Sequence, residues 1–257
     1  MEYIIIPLVA FLVAILTFFS GFGLGTILTP VFMIFFPVEL AIALTGVVHF
    51  FNNLFKLILV GKNADRKTLI RFGVPAVIAA FVGSYVLLQI PDADPLFSYS
   101  ISGKNFDVYP VKFLISILLI IFALMDLLPI FQKMQFGKKW LPVGGVLSGF
   151  FGGLSGNQGA LRSAFLIKAG LSKEAFIGTA VVVSTFVDFT RLGVYATQFT
   201  QNNLIDNIGL VLLATAAGIL GSFFGNKLLK KITIQSLQII VAVMLILISV
   251  ALGSGLI

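Results

Sequence analysis

The feature that most constrains this chain is a set of long, nearly charge-free apolar runs. Tyr3–Phe19, Thr68–Ile90, Pro110–Phe131 and Ile232–Leu252 each carry almost no ionisable side chain. Each is near the ~20 residues a helix needs to cross a ~30 Å hydrocarbon core. The 257-residue chain is 59% hydrophobic and only 11% charged, with mean hydropathy +1.10, where a soluble domain carries about 25% charged residues. Short strands alternating apolar and polar residues, the signature of a membrane barrel, are missing. The pattern predicts an all-α polytopic membrane protein.

The opening "MEYIIIPLVAFLVAIL" has no basic leader and reads as a first membrane segment. The chain has no cysteine, so disulfides, thiolate metal sites and thiol nucleophiles are out of reach. Clustered carboxylates for a hard cation are also missing, since the spans offer only scattered Asp126 and Asp188. No cofactor and no metal site is expected. The net charge of +7 points to membrane topology, not nucleic acid, because the basic residues sit in short loops.

Those loops alternate in sign. Residues 61–71 carry Lys62, Arg66, Lys67 and Arg71; residues 132–140 carry Lys133, Lys138 and Lys139; residues 226–231 carry Lys227, Lys230 and Lys231. These three read as cytoplasmic. Residues 91–110 hold Asp92, Asp94 and Asp107 against Lys104, and residues 200–207 hold Asp206 with no Lys or Arg. Both read as outside, as do the N- and C-termini. Lys56, Lys168 and Lys173 are expected to reach the membrane interface, and Asp126, near Lys133, to be solvated.

The two halves resemble each other. "SGFGLGTILTP" (20–30) aligns with "LSGNQGALRSA" (154–164), placing Gly25 on Gly159. At the same offset Ala41 meets Ala175 and Thr45 meets Thr179. One residue of slip later, Asn53 meets Asp188 and Lys56 meets Arg191. The loop signs make Val38–Gly61 and Ser172–Phe199 run in opposite directions. The expected layout is two inverted repeats of about five helical segments each, residues 1–131 and 141–257, joined by a cytoplasmic linker at 132–140.

Each repeat carries a glycine-rich interruption, at 21–25 (Gly21, Gly23, Gly25) and at 152–159 (Gly152, Gly153, Gly156, Gly159). Roughly ten apolar residues follow each, too few for a crossing, so both read as broken, re-entrant, hairpin-like segments. Irregular backbone at membrane depth belongs in protein or beside a cavity. A helix restarting after such a break aims free N–H groups at the loop and can receive an anion. Gly145 and Gly149, four residues apart, read as helix packing instead.

Several polar side chains surround these breaks in the sequence. Asn157, Gln158 and Arg162 follow the second break, and Thr26 follows Gly25. Arg162 reads either as a structural partner of Asp188 or as the charge partner of an anion, which its planar fork suits. Thr45, His49, Asn52, Asn53 and Lys56 share one broad face of their helix. Ser184, Asp188, Arg191 and Tyr195 do the same on theirs, where Asp188 and Arg191 can pair locally. His49, the sole histidine, reads as a pathway group, a proton shuttle or a satisfied buried imidazole. An intramembrane serine protease with Ser155 and His49 is a distant alternative, because "GGLSGN" misses the G-x-S-x-G elbow by one place.

"GFGLGTILTP…ELAIALT", followed a half later by "GGLSGNQGALRSAFLIKAGLSKEAFIGT", resembles the sulfite exporter TauE/SafE family over about residues 5–252. The resemblance implies a non-enzymatic transporter in a prokaryotic inner membrane, exporting sulfite or organosulfonates. "GFGLG" and "GNQGA" hold fewer adjacent glycines than the common pattern of the family. The expected substrate shell is Gly23, Gly25, Thr26, Thr45, His49, Asn52, Asn53, Gly156, Asn157, Gln158, Gly159, Arg162, Thr179, Asp188 and Arg191. Its expected partners are the small oxyanion and membrane lipid. A passive anion channel on the same scaffold is the alternative.

Overall fold

In the computed structural model, which describes residues 1–18, 23–90, 94–128, 137–167, 169–199, 205–228 and 234–256, the chain is a helical bundle with one short hairpin. The helices are α1 (Glu2–Thr17), α2 (Gly25–Met33), α3 (Val38–Val60), α4 (Arg66–Gln89), α5 (Pro110–Leu127), α6 (Leu141–Ser155), α7 (Gly159–Ile167), α8 (Lys173–Phe199), α9 (Ile208–Leu228) and α10 (Ile234–Gly253). α4 passes through a π turn at Leu69–Gly73. Four helical stretches, Val38–Asn63, Arg66–Gln89, Lys173–Ala196 and Ile205–Lys227, are long and apolar enough to cross a membrane. Large apolar side chains such as Ile58, Ile78, Phe189 and Leu212 point outward, while the interior holds ionised and amide groups. That inversion of the soluble pattern suits a lipid surround, and the chain is an integral membrane protein.

Close helix contacts rest on small residues. A Cβ at Gly145, Gly149 or Gly153 of α6 would run into the carbonyl oxygen of Phe72, Ala76 or Ala80 of α4. The paired numbers rise together, so α4 and α6 are parallel. α1 and α9 pack likewise: Gly221 sits against the Phe11 carbonyl and Gly225 against that of Ile15. Without a hydrophobic drive between helices in lipid, such close backbone approach supplies the dispersion energy of association. The central pair is antiparallel, since Gly46 lies beside Arg191 and Leu192, His49 beside Asp188, and Asp65 beside Thr179. α5 packs on α10, α8 on α4, and α9 on α3. These relative directions agree with those expected from the loop charges.

The second interruption is narrower than expected from sequence. α6 runs unbroken through Gly152 and Gly153 and ends at Gly156, whose φ of +74° closes the helix in the left-handed region and whose N–H donates to the Gly152 carbonyl at 3.0 Å. Gly23 has φ +83°; Gly21 lies outside the described residues. The short helices that follow begin on Gly25 and Gly159, the glycines aligned between the halves, and each is nine residues long.

The loop expected at 91–110 contains a β-hairpin. β1 (Phe97–Ile101) pairs antiparallel with β2 (Lys104–Val108), Phe97 opposite Val108. Ser102 and Gly103 have φ +52° and +78°, the two positive values a type I′ turn demands. Tyr99 Oη donates to the Ser254 carbonyl at 2.5 Å, docking the hairpin on the end of α10. At the start of α4, Asp65 accepts from Thr68 N and Oγ1 at 2.8 and 2.6 Å, and these bonds hold its carboxyl below the usual carboxylate range. Of the loop charges, Asp92, Lys133, Lys168, Lys230 and Lys231 lie outside the described residues, as does the Asp126 side chain.

Replacing Gly149 by Leu places a branched side chain where the Ala76 carbonyl stands. Gly149→Leu is expected to lower the melting temperature of the purified protein, by overpacking worth about 1–3 kcal/mol or more. Gly137→Ala, with nothing within 4 Å of its Cβ position, is expected to melt like the wild type. Equal melting of all three would contradict this packing.

Candidate functional site

The centre of the bundle is a knot of polar side chains around Asp188. One carboxylate oxygen accepts from His49 Nδ1 at 2.6 Å and from Asn53 Nδ2 at 2.9 Å, both on α3. The other accepts from Arg191 Nε at 3.0 Å and lies 3.0 Å from Arg191 Nη2, one turn along α8. Asp188 and Arg191 are fully buried, and His49 and Asn53 nearly so. A charge at this depth is costly unless paired and hydrogen-bonded, and here the carboxylate is met from both helices. The intrahelical Asp188–Arg191 pair expected from spacing is present, and it is one arm of a larger cluster.

Each arm of the cluster presses on one helix break. A Cβ on Gly23 would fall 2.7 Å from His49 Nε2. A Cβ on Gly156 would fall 2.8 Å from Arg191 Nη1. Both glycines therefore answer two demands, a positive φ and a polar tip lying where a side chain would start. The breaks also touch each other. A Cβ on Gly25 would stand 3.3 Å from the Gly156 carbonyl oxygen, and Thr26 Oγ1 donates to Asn157 Oδ1 at 3.1 Å. The starts of α2 and α7 thus meet inside the protein.

Arg162, on the first turn of α7, is 2% exposed. Its Nη1 donates to Ser184 Oγ on α8, and its Nη2 lies 3.7 Å from the Cβ position of Gly23. Beside it is a small cavity of about 20 Å³ whose polar wall includes Thr17, Asn53, Lys56, Arg162 and Ser184 and whose apolar wall includes Phe18 and Val181. Among the described residues no carboxylate lines it. Lys56 and Ile177, both on the wall, lie about one turn from the end of α3 and the start of α8, so the cavity sits toward that end of the central pair.

Lys56 departs from expectation. Instead of reaching the interface it is 3% exposed, with Nζ 5.3 Å above the Phe18 ring. Its position near the helix end suggested an interfacial lysine; Thr17 and Phe18 at the end of α1 and Arg162 of α7 wall it in. Of the expected shell, Gly23, Asn53 and Arg162 line the cavity, and the others make their contacts elsewhere. Thr179 Oγ1 accepts from Asp65 N at 2.9 Å and holds the turn before α4. Asn52 Oδ1 accepts from Ser222 Oγ at 2.7 Å, facing α9. Thr45 is fully buried, and its hydroxyl has no partner among the described residues. Asn157 Nδ2 and Gln158 Oε1 likewise have none among the described residues, which leaves amide capacity beside the meeting breaks. Gly159 opens α7.

The Ser155–His49 pairing required of a serine nucleophile is not formed. Ser155 Oγ donates to the Phe151 carbonyl at 2.9 Å, and His49 Nδ1 is turned to Asp188. Tyr195 Oη donates to the Gly153 carbonyl, locking α8 against α6.

Asp188→Asn leaves the surrounding guanidinium short of a buried counter-charge, and removing one partner of a buried pair costs about 3–5 kcal/mol. The variant is expected to melt well below the wild type in detergent, whereas an unchanged melting temperature would contradict the role of Asp188 as the bundle's central tie.

A search of curated proteins and one of solved structures find no match. A family model described as "Sulfite exporter TauE/SafE" matches residues 6–252, and the chain belongs to that family.

Proposed function

We propose that this protein exports a small oxyanion of the sulfite or sulfonate class by alternating access, with the anion held beside Arg162 where the two helix breaks meet. The observation that carries this reading is the cavity itself, with two buried cationic side chains and, among the described residues, no carboxylate in its wall. The family is one of sulfite-type anion transporters. Arg offers a planar fork of donors to an oxyanion. Asn157 and Gln158 supply neutral amides nearby, and the starts of α2 and α7 add oriented N–H groups. Asp188, His49, Asn53 and Arg191 support this shell by fixing α3 against α8.

The alternating-access part rests on two inverted repeats, residues 1–131 and 141–257. Exchanging α1 with α6, α2 with α7, α3 with α8, α4 with α9 and α5 with α10 turns the α4–α6 packing into α9–α1 and the α8–α4 packing into α3–α9. It leaves the α3–α8 and α5–α10 pairs unchanged. A bundle with this exchange has two related arrangements of one site, which is what rocking between sides requires. With the basic loops inside, an inside-negative potential favours anion exit at ~2.3 kcal/mol per charge per 100 mV, so efflux needs no coupling ion.

The test is sulfite flux in proteoliposomes. Arg162→Ala removes a charge-assisted contact and is expected to slow flux roughly tenfold or more. Asn157→Ala, which loosens the junction of α2 with α7, is expected to slow it roughly fivefold. Wild-type flux in both variants would overturn the site, and unitary conductance steps in planar bilayers would overturn alternating access.

A further inference from the structure

A larger cavity lies on the outside of the bundle, between α4 and α8. It holds about 330 Å³, and its walls include Gly73, Val74 and Ile78 of α4 and Val182, Val183 and Phe186 of α8. Every described residue in its wall is apolar or glycine. It is an open groove, since Val74, Ile78 and Phe186 are 52%, 63% and 57% exposed. Its floor is a close approach of the two helices, where a Cβ on Gly73 would stand 3.2 Å from Val183 Cγ2. The π turn at Leu69–Gly73, closed by the Val74 N–H on the Leu69 carbonyl, adds a residue to α4 at this point. An apolar groove facing lipid gains contacts when a hydrocarbon chain fills it and forfeits them when empty.

The charge at one end sets this groove apart from the rest of the lipid-facing surface. Arg66, Lys67 and Arg71 are exposed on the first turns of α4, as are Ile70, Val74 and Ile78 after them. Residues 61–71 add Lys62 and hold one carboxylate, Asp65. Asp65 accepts from Thr68 N and Oγ1 and lies within electrostatic reach of Lys67 and Lys138. Among the described residues no salt bridge joins Arg66, Lys67 or Arg71 to a carboxylate. Positive charge is therefore in excess at the mouth of the groove. Lys67 and Ile78 are about 16 Å apart along the axis at ~1.5 Å per residue, close to half of a ~30 Å hydrocarbon core. That is the depth of one leaflet.

We propose that α4 and α8 form a site for an anionic phospholipid, with one acyl chain in the groove and the phosphate on Arg66, Lys67 and Arg71. The arginine fork meets phosphate oxygens two at a time. A zwitterionic head carries its own cation and gains less from the basic cluster. The other side of α8 meets the polar centre, where Ser184 accepts from Arg162 and Asp188 from Asn53. The lipid thus braces from outside the helix that holds the centre from inside. The site does not depend on which anion is transported.

Trp140 is the sole tryptophan, so a fluorescent reporter can be moved. In a Trp140→Phe background, Ile78→Trp places the ring on the groove at mid-chain depth. Leu220→Trp, at an exposed position past the middle of α9, places it on ordinary lipid-facing surface. Each full-length protein is reconstituted in mixtures of phosphatidylcholine and phosphatidylglycerol with one or the other brominated on its chains, and quenching gives their relative affinity. At low salt Ile78→Trp is expected to report a roughly fivefold or greater preference for phosphatidylglycerol, which shrinks at ~1 M salt. Leu220→Trp is expected to report equal affinities. Adding Arg66→Gln, Lys67→Gln and Arg71→Gln together to Ile78→Trp is expected to abolish the preference while both lipids still quench.

Equal affinities at Ile78→Trp, the same preference at Leu220→Trp, or a preference that survives the triple substitution would overturn the site. So would an Ile78→Trp ring that neither lipid quenches, the result expected if a second copy of the chain covers the groove. The salt dependence needs no charge substitution, so misfolding of the triple variant leaves the electrostatic part measurable. Each of these results leaves the sulfite-flux test of the transport reading untouched.

Discussion

The Asp188 carboxylate accepts from His49 and Asn53 across the helix interface and from Arg191 along its own helix, and the arrangement of the bundle's centre depends on it. A carboxylate is only tolerable at this depth when donors surround it, and these donors come from α3 and α8 at once. The two long antiparallel helices are thereby locked in register. The tips of two donors, His49 Nε2 and Arg191 Nη1, then reach past the carboxylate to opposite helix breaks. One electrostatic requirement thus fixes the central helices and the two interrupted segments together.

Glycine makes the rest of that geometry possible in two different ways. At Gly23 and Gly156 it supplies a left-handed backbone and leaves room for a polar tip. At Gly145, Gly149, Gly153 and Gly221 it lets one helix rest on the carbonyls of another. The first use interrupts helices at depth, and the second holds the scaffold that shields the interruption from lipid. Both serve a protein in which water cannot satisfy stray backbone groups.

Much of this could be read from the residues. The apolar runs gave the helices to within a few residues, and the loop charges gave relative directions that the packing reproduces. The pairing of Gly25 with Gly159 anticipated where the short helices start. The Asp188–Arg191 contact followed from spacing along one helix, but its extension to His49 and Asn53 did not, because which helices face each other is decided by long-range packing. Lys56 escaped for the same reason: a lysine one turn from a helix end looks interfacial until another helix covers it. Asn52 and Asn53 are neighbours on one face in a helical projection, yet they turn to α9 and α8 respectively. The hairpin at 97–108 did leave a signal, the alternation of Phe97, Tyr99 and Ile101 before a Ser-Gly turn, overshadowed by the membrane spans on either side.

The central claim is that a sulfite-type anion occupies the cavity beside Arg162. The absence of cysteine from the chain makes a direct measurement available: the rate at which a small thiol reagent labels Val181→Cys, placed on the apolar wall of that cavity, with and without sulfite. Occupancy predicts labelling that slows as sulfite is added and saturates with the same concentration dependence as transport. A labelling rate indifferent to sulfite at concentrations that saturate flux would contradict it.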